Sequence, residues 1–352
     1  MFWSRKIALT GGPCGGKTSA MNYLHSQFKK WGFTVFMTPE AFTVTAQGHA
    51  HELYGILKQQ DVNDFCKLGA KITNLCYFFE EYFEDLAKLS KKPTILFCDR
   101  GICDTKAYYP ELCWDMTLQE VKMNEKQILD RYYAILHLAT TAKGAKDHYI
   151  TSNNMARRES VEEAIEVDDK IFNSWKNHKR LIYVGNENVK TFDEKLNNIQ
   201  GIVEDLLQLP KNPLQTLKVS VNQEELYNYI LSSNQDNYIT LEQFDIENEY
   251  LNNSFVQKIK QKDGKISYQM GVEMQHPEKP FYLYQKITEE EYNKCKKKVP
   301  SKLLQQIQIN GQTLTLQQNI QDQLHQQQQT IPQTTLMAPK NIILPSFFVV
   351  NQ

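Results

Sequence analysis

Residues 11 to 18 read GGPCGGKT, between a short apolar run, Lys6 to Thr10, and a segment with Met21, Leu24, Phe28 and Trp31 at helical spacing. A strand, a glycine-rich turn and a helix in that order leave few folds open. The turn fits G-x-x-x-x-G-K-[ST], whose glycines let backbone N–H groups converge on phosphate oxygens with no Cβ in the way. The positive end of the helix dipole falls at the same point. The spacing predicts a phosphate-binding loop over Gly11, Gly12, Pro13, Cys14, Gly15, Gly16, Lys17, Thr18 and Ser19. Lys17 is expected to reach the β and γ phosphates, and Thr18 to ligate Mg2+. The other reading, a glycine-rich turn that fits by chance, lacks a reason for the flanking strand and helix.

Around this loop the chain alternates strand-like and helix-like patterns through residue 209. Phe33 to Met37 reads as a second strand, after a stop at Gly32. A long helix is expected with Phe65, Leu68, Ile72, Leu75, Phe79, Phe83 and Leu86 on its buried stripe. The segments PTILFCDR, YAILHLAT and RLIYVGN are three more buried strands. Such alternation predicts an α/β domain with a parallel sheet covered on both faces. Two prolines in LPKNPLQ mark a linker, expected over 210–217. From 218 to 352 the segments turn strand-rich, and KDGK and NGQ between alternating runs signal hairpins of an antiparallel β domain. The glutamine-rich stretch 318–333 is expected to be a surface insertion.

Several side chains fall where strands end, the edge at which open α/β sheets bind ligands. Glu40, after the second strand, is a candidate base for an acceptor hydroxyl, or else a solvated loop carboxylate. Asp99 and Arg100 close the third strand. Asp99 can organise Mg2+ and Arg100 can clamp an anion, or the two form a helix cap and ion pair. Arg157 and Arg158 lie in a polar stretch suited to a mobile lid over a transferring phosphoryl group. Alternatively they pair with Glu159, Glu162 and Glu163. His137, in AILHLA, reads as a core histidine, and the eight histidines show no metal-ligand spacing.

Formal net charge over 352 residues is −1, so no global field argues for nucleic acid or an anionic membrane. The seven cysteines form no CxxC pair and are expected as free or buried thiols of a reducing compartment. No apolar run is long enough to cross a membrane. The first strand begins too early to leave room for a cleavable leader. A cytoplasmic location is expected, with ciliary or membrane-peripheral placement and an internal organellar signal left open.

Taken in order, LTGGPCGGKTS, TPEAF, CDRGICDTKAYY, HLATTAKGAKDHY, NNMARRE and WKNHKRLIYVGN resemble the AAA-like, kinase-like P-loop domain shared by NadR-type ribosylnicotinamide kinases and the TRPL-translocation-defect family. The resemblance spans roughly residues 5 to 205. It implies nucleotide and Mg2+ roles for Lys17, Thr18, Asp99 and Arg100. It also places Asn154, Arg157 and Glu159 in a lid and Asn186 near the base. Glu40 resembles the Pro-Glu carboxylate that serves as base in deoxynucleoside kinases. GTP and ATP both stay open, since the Asn-Lys-x-Asp guanine signature of Ras-like proteins is absent.

The second half resembles the CYTH-type triphosphate tunnel that follows this domain in the translocation-defect family. Lys258, Lys260 and Lys262 alternate along a strand, hence share a face. The E-x-E-x-K opening of catalytic tunnels is replaced by Leu214, Thr216 and Lys218, so both acidic metal ligands are missing. Glutamines stand where later charged strands belong, and a neutral amide cannot offset phosphate charge. A degenerate, inactive tunnel is implied, whose lysine stripe either binds a phosphoinositide or polyphosphate or is a solvated face. Three functions follow as expectations. They are a Mg-nucleotide-binding regulatory or adaptor protein with a lipid or protein partner, a small-molecule kinase of the ribosylnicotinamide or nucleoside type, and a structural subunit of a large assembly that keeps its nucleotide.

Overall fold

The structure is a computed structural model that describes residues 3–144, 160–187, 189–209, 214–221, 239–245, 254–261, 264–274, 281–295, 302–309, 312–319, 334–339 and 348–350. Contacts divide the chain into two compact units that meet in sequence between Gln208 and Leu209.

In the first unit, β1 (Ser4–Thr10), β2 (Thr34–Thr38), β3 (Thr94–Asp99), β4 (Ala134–Leu138) and β5 (Leu181–Val184) form one sheet in the order β2-β3-β1-β4-β5. Every pairing is parallel, as the alternation predicts. The inner strands β3, β1 and β4 are near-continuous apolar runs because helices cover both their faces. The chain crosses to β2 and β3 on one side of β1 and to β4 and β5 on the other. The switch point thus lies beside the end of β1, where the glycine loop begins. The helices are α1 (Lys17–Lys30), α2 (Ala41–Gln47), α3 (His51–Gln60), α4 (Val62–Ser90), α5 (Thr105–Tyr108), α6 (Cys113–Val121), α7 (Glu125–Asp130), α8 (Val161–Ser174) and α9 (Phe192–Leu206).

Helix α1 buries Met21, Leu24 and Phe28 as its periodicity predicts, and Gly32 follows its end at φ 88°. Helix α4 departs from expectation. Of its apolar stripe only Phe65 is fully buried; Leu68, Ile72, Leu75, Phe79, Phe83 and Leu86 are half-exposed. The face turned inward carries Cys66, Gly69, Ala70, Thr73, Glu80 and Ala87 instead. Two contacts explain the rotation. A Cβ on Gly69 would stand 2.7 Å from the Tyr109 ring, so this face is cut for close approach. Glu80 accepts hydrogen bonds from Lys6 (2.8 Å), Arg131 (3.0 Å) and the Tyr132 hydroxyl, which compensates a fully buried carboxylate.

The cysteine expectation is corrected in one place. Cys66 on α4 and Cys113 on α6 form a disulfide across 47 residues, with Cα atoms 4.7 Å apart. Spacing in sequence carries no sign of that pair, because it is the packing of two helices that brings the sulfurs together. Cys14, Cys76, Cys98, Cys103 and Cys295 are in no disulfide.

The second unit holds β6 (Leu214–Val221), β7 (Ile239–Asp245), β8 (Ser254–Gln261), β9 (Ile266–Met274), β10 (Phe281–Ile287), α10 (Glu289–Cys295), β11 (Lys302–Ile309), β12 (Gln312–Asn319), β13 (Thr334–Pro339) and β14 (Phe348–Val350). The strands run in the order β10-β9-β8-β7-β11-β12-β13-β6-β14, all antiparallel. Both hairpin signals hold: β8 pairs with β9 through Gly264 at φ 83°, and β11 with β12. Two boundaries move. Residues 214–217, expected as linker, are strand, and β12 takes Gln318 and Asn319 from the expected insertion. Among the described residues no helix is long and apolar enough to cross a membrane.

Candidate functional site

At the end of β1 the backbone turns into the glycine loop, and its glycines are required by their surroundings. Gly11 has φ 125°, and a Cβ there would lie 2.1 Å from the Leu138 carbonyl oxygen. Gly15 leaves only 2.6 Å to the same oxygen. Gly16, at φ 84°, is the N-cap of α1. Lys17 folds back over the loop and donates to the carbonyls of Gly11 (2.9 Å) and Gly12 (2.8 Å). Burial, helped by the Arg100 charge, lowers its pKa to about 8 against the pull of Asp99, Glu40 and Asp104. Thr18 and Ser19, in the first turn of α1, are exposed.

Three of the carboxylates and one arginine meet beside this loop. Arg100, itself at φ 69°, donates from Nε to Glu40 Oε1 at 2.5 Å. Its Nη1 lies 3.4 Å from the Gly11 carbonyl and 3.5 Å from Asp104 Oδ2. Thr43 donates to the other Glu40 oxygen at 2.6 Å. Burial works against ionisation of Glu40, yet the Arg100 charge, these hydrogen bonds and Lys17 outweigh it and bring its pKa down to about 2. Asp99 is moved the other way: burial and the Glu40 charge raise its pKa, opposed by Lys17 and Arg100. Its Oδ1 is buried with no hydrogen-bond partner.

Sequence reasoning missed the groups that hold the loop from outside. Asp104 is buried and accepts from the Thr10 hydroxyl at 2.7 Å and from Trp175 Nε1 at 2.5 Å, tying the end of β1 to the residue that caps α8. Asp168 on α8 accepts the Gly12 N–H at 2.7 Å and Lys143 Nζ at 2.8 Å, with His137 Nε2 3.2 Å away. Burial opposes its charge, but these neighbours hold the carboxyl well below the usual range. The Thr140 hydroxyl donates to the Pro13 carbonyl at 2.6 Å, and Lys195 Nζ to that of Gly15 at 3.2 Å. Asp104 stands four residues after Arg100 and could have been noticed there. Asp168 and Lys195 look in sequence like ordinary members of charged helices.

The remaining expected residues divide as follows. Asn186, at the end of β5, is buried and spends both ends on protein. Its amide nitrogen donates to the Thr140 (2.9 Å) and Lys143 (2.7 Å) carbonyls, and its oxygen accepts from Lys195 at 2.7 Å. Asn186 therefore ties the β4 and β5 ends together. His137 is fully buried, as a core histidine should be, and stacks on Tyr183. Asn154, Arg157, Arg158, Glu159 and Lys262 lie outside the described residues. Lys218 is on β6, Lys258 and Lys260 on β8, and none belongs to the unit that carries the loop. Lys258 is half-exposed and Lys260 exposed.

For Mg2+, the donor set fits. The orphaned Asp99 Oδ1 is a hard oxygen at the sheet edge, and Thr18 supplies a hydroxyl. Among the described residues no three His, Cys, Asp or Glu side chains are grouped to hold a metal by themselves. The ion would take its other ligands from phosphate and water, the usual manner of Mg2+.

A five-stranded parallel sheet in 2-3-1-4-5 order, a glycine loop leaving its central strand and a lysine opening the next helix define a P-loop NTPase fold. Residues 6–190, more than half of the chain, match the family described as AAA domain, and the chain belongs to that family. Comparison with curated proteins finds no match. Among solved structures the chain is similar to a crystal structure of NadR protein in complex with NR, at 14% identity and a TM-score of 0.38 over 59% of this chain. The match covers 53% of that chain, about half its length.

Proposed function

We propose that the chain binds a nucleoside triphosphate with Mg2+ at residues 11–19 and acts as a nucleotide-dependent regulatory or adaptor protein. In this reading the loop N–H groups and Lys17 hold the phosphates, while Thr18 and Asp99 hold the ion. Mg2+ supplies charge neutralisation on the β and γ phosphates. The observation that carries the choice of binding over turnover is the Glu40–Arg100 ion pair. A carboxylate with a pKa near 2 has little affinity for a proton, so Glu40 in this state is a weak general base. The second unit fits a degenerate CYTH-like domain that presents Lys258 and Lys260 to a phosphoinositide or protein partner in the cytoplasm.

A second reading has its own support. Glu40, Arg100 and the loop are neighbours, as a small-molecule kinase needs, with Glu40 as base, Arg100 as substrate clamp and Arg157 as lid cation. It requires an acceptor that draws Arg100 away from Glu40.

Equilibrium binding of labelled GTP and ATP with Mg2+, with Lys17→Ala as control, tests the first reading. Turnover assays with nicotinamide riboside and nucleosides run beside it. Tight binding without turnover is expected. Turnover abolished by Glu40→Gln would install the kinase reading, and absence of binding would sink both. Phosphoinositide vesicles that fail to retain the intact chain would retire the lipid partner.

A further inference from the structure

Lys195 is a buried cation that the phosphate-loop reading does not use. It lies on α9, 180 residues from Gly15 in sequence, and 3% of it is exposed. Its ammonium donates to three neutral oxygens, the carbonyls of Gly15 and Ala139 at 3.2 Å and Asn186 Oδ1 at 2.7 Å. The described residues give it no carboxylate within ion-pair distance; Asp168 on α8 and Glu187 after β5 act on it only from further away. Lys143, whose carbonyl accepts from Asn186, is itself paired with Asp168 and Asp169. Of the loop's own charges, Lys17 faces the Gly11 and Gly12 carbonyls. A buried charge of this kind costs several kcal/mol, so its retention calls for a reason.

The peptide geometry supplies one. Among the described residues every peptide bond is trans, that between Gly15 and Gly16 included, so the Gly15 carbonyl and the Gly16 N–H point in opposite directions. A donor fixed on the Gly15 oxygen turns the Gly16 N–H to the opposite face of the loop, the face that the proposed function assigns to phosphate. Thr140 does the same for the next peptide but one, holding the Pro13 oxygen and so aiming the Cys14 N–H. Of these two donors Lys195 brings charge as well, and a cation on a carbonyl polarises the peptide toward a better N–H donor.

We propose that Lys195 is a positioning residue of the nucleotide site, which fixes and polarises the Gly15–Gly16 peptide from behind the loop and adds its positive charge to those of Lys17 and Arg100. This inference rests on the nucleotide-binding reading above. Its electrostatics are consistent with a switchable charge: burial lowers the Lys195 pKa to about 8, partly offset by Asp168 and Glu187. An anion bound at the loop favours the charged form, so binding at mildly alkaline pH should draw a proton onto Lys195.

The test is calorimetric titration of the full chain with Mg-ATP and Mg-GTP at about pH 8.5, above the last phosphate ionisation, in buffers of different ionisation heat. Proton uptake that includes Lys195 is expected in the wild type. Lys195→Arg stays charged at every pH and should take up fewer protons, by a deficit of up to about one. Lys195→Met should weaken binding by roughly tenfold or more. Thermal unfolding checks that it is folded; should it not be, the proton count of Lys195→Arg decides. Equal proton uptake by wild type and Lys195→Arg, or undiminished affinity in folded Lys195→Met, overturns this proposal and leaves nucleotide binding standing. A wild type that binds neither nucleotide overturns both.

Discussion

Arg100 Nε donates to Glu40 Oε1 at 2.5 Å across 60 residues of sequence, and the same guanidinium reaches toward the Gly11 carbonyl. The two side chains that strand-end logic singled out separately are thus one ion pair at the rim of the phosphate loop. Its consequences can be measured without knowing any substrate.

The first concerns acid stability. Glu40 has a folded pKa near 2, below the ordinary glutamate value of about 4.3. A depressed carboxylate contributes stability that is fully present above its unfolded pKa and is lost as pH falls through the folded one. The unfolding midpoint of the wild type should therefore drop between about pH 4.5 and pH 2. Glu40→Gln should start lower at pH 7 and lose less across that window; parallel curves would show the pair contributes nothing.

Loop glycines should rank by what their Cβ meets. Gly11→Ala drives a methyl to 2.1 Å from backbone oxygen, which cannot move cheaply, on top of a left-handed φ. Gly16→Ala has the same φ problem but meets only the Phe192 ring edge at 2.7 Å, and that ring is half-exposed at 47% and can turn. We expect Gly16→Ala to cost about 1 kcal/mol and Gly11→Ala about 3 kcal/mol or more by urea denaturation. The reverse order would refute the close-approach argument.

Asp168 should separate hydrogen bonding from charge. Asp168→Ala strips partners from the Gly12 and Thr140 N–H groups and from Lys143, and should destabilise by about 2–4 kcal/mol. Asp168→Asn keeps an acceptor for Gly12 and should cost less. Equal losses in the two variants would mean that the carboxylate charge, rather than the loop contact, matters.

Joining α4 to α6, the Cys66–Cys113 disulfide closes a loop of 47 residues. Cys66→Ser should lower stability by about 2–4 kcal/mol under oxidising conditions. Under reducing conditions the wild type should approach the variant. A wild type whose denaturation curve ignores reductant would show that the link carries no stability.

Much of this site was legible in residue order. The run from Lys6 to Lys30 encodes strand, loop and helix by local spacing alone, and Asp99, Arg100 and Glu40 stand at strand ends because a parallel sheet puts all such ends on one edge. The face of α4 was misread for a physical reason. Its long apolar side chains form the louder periodic signal, while the small face that lets α6 and Tyr109 approach closely is quiet in hydrophobicity.

Residue order is enough for a phosphate loop on a parallel α/β sheet followed by an antiparallel β unit, since these follow from neighbours along the chain. What holds that loop in place emerges from contacts between distant segments. Asp168 on Gly12 and Lys195 on Gly15 act over 156 and 180 residues, and the Cys66–Cys113 pair is likewise made by helix packing. A charged residue on an amphipathic helix has the same local pattern whether it meets water or a peptide group. The difference arises only when distant elements close around it and remove the water.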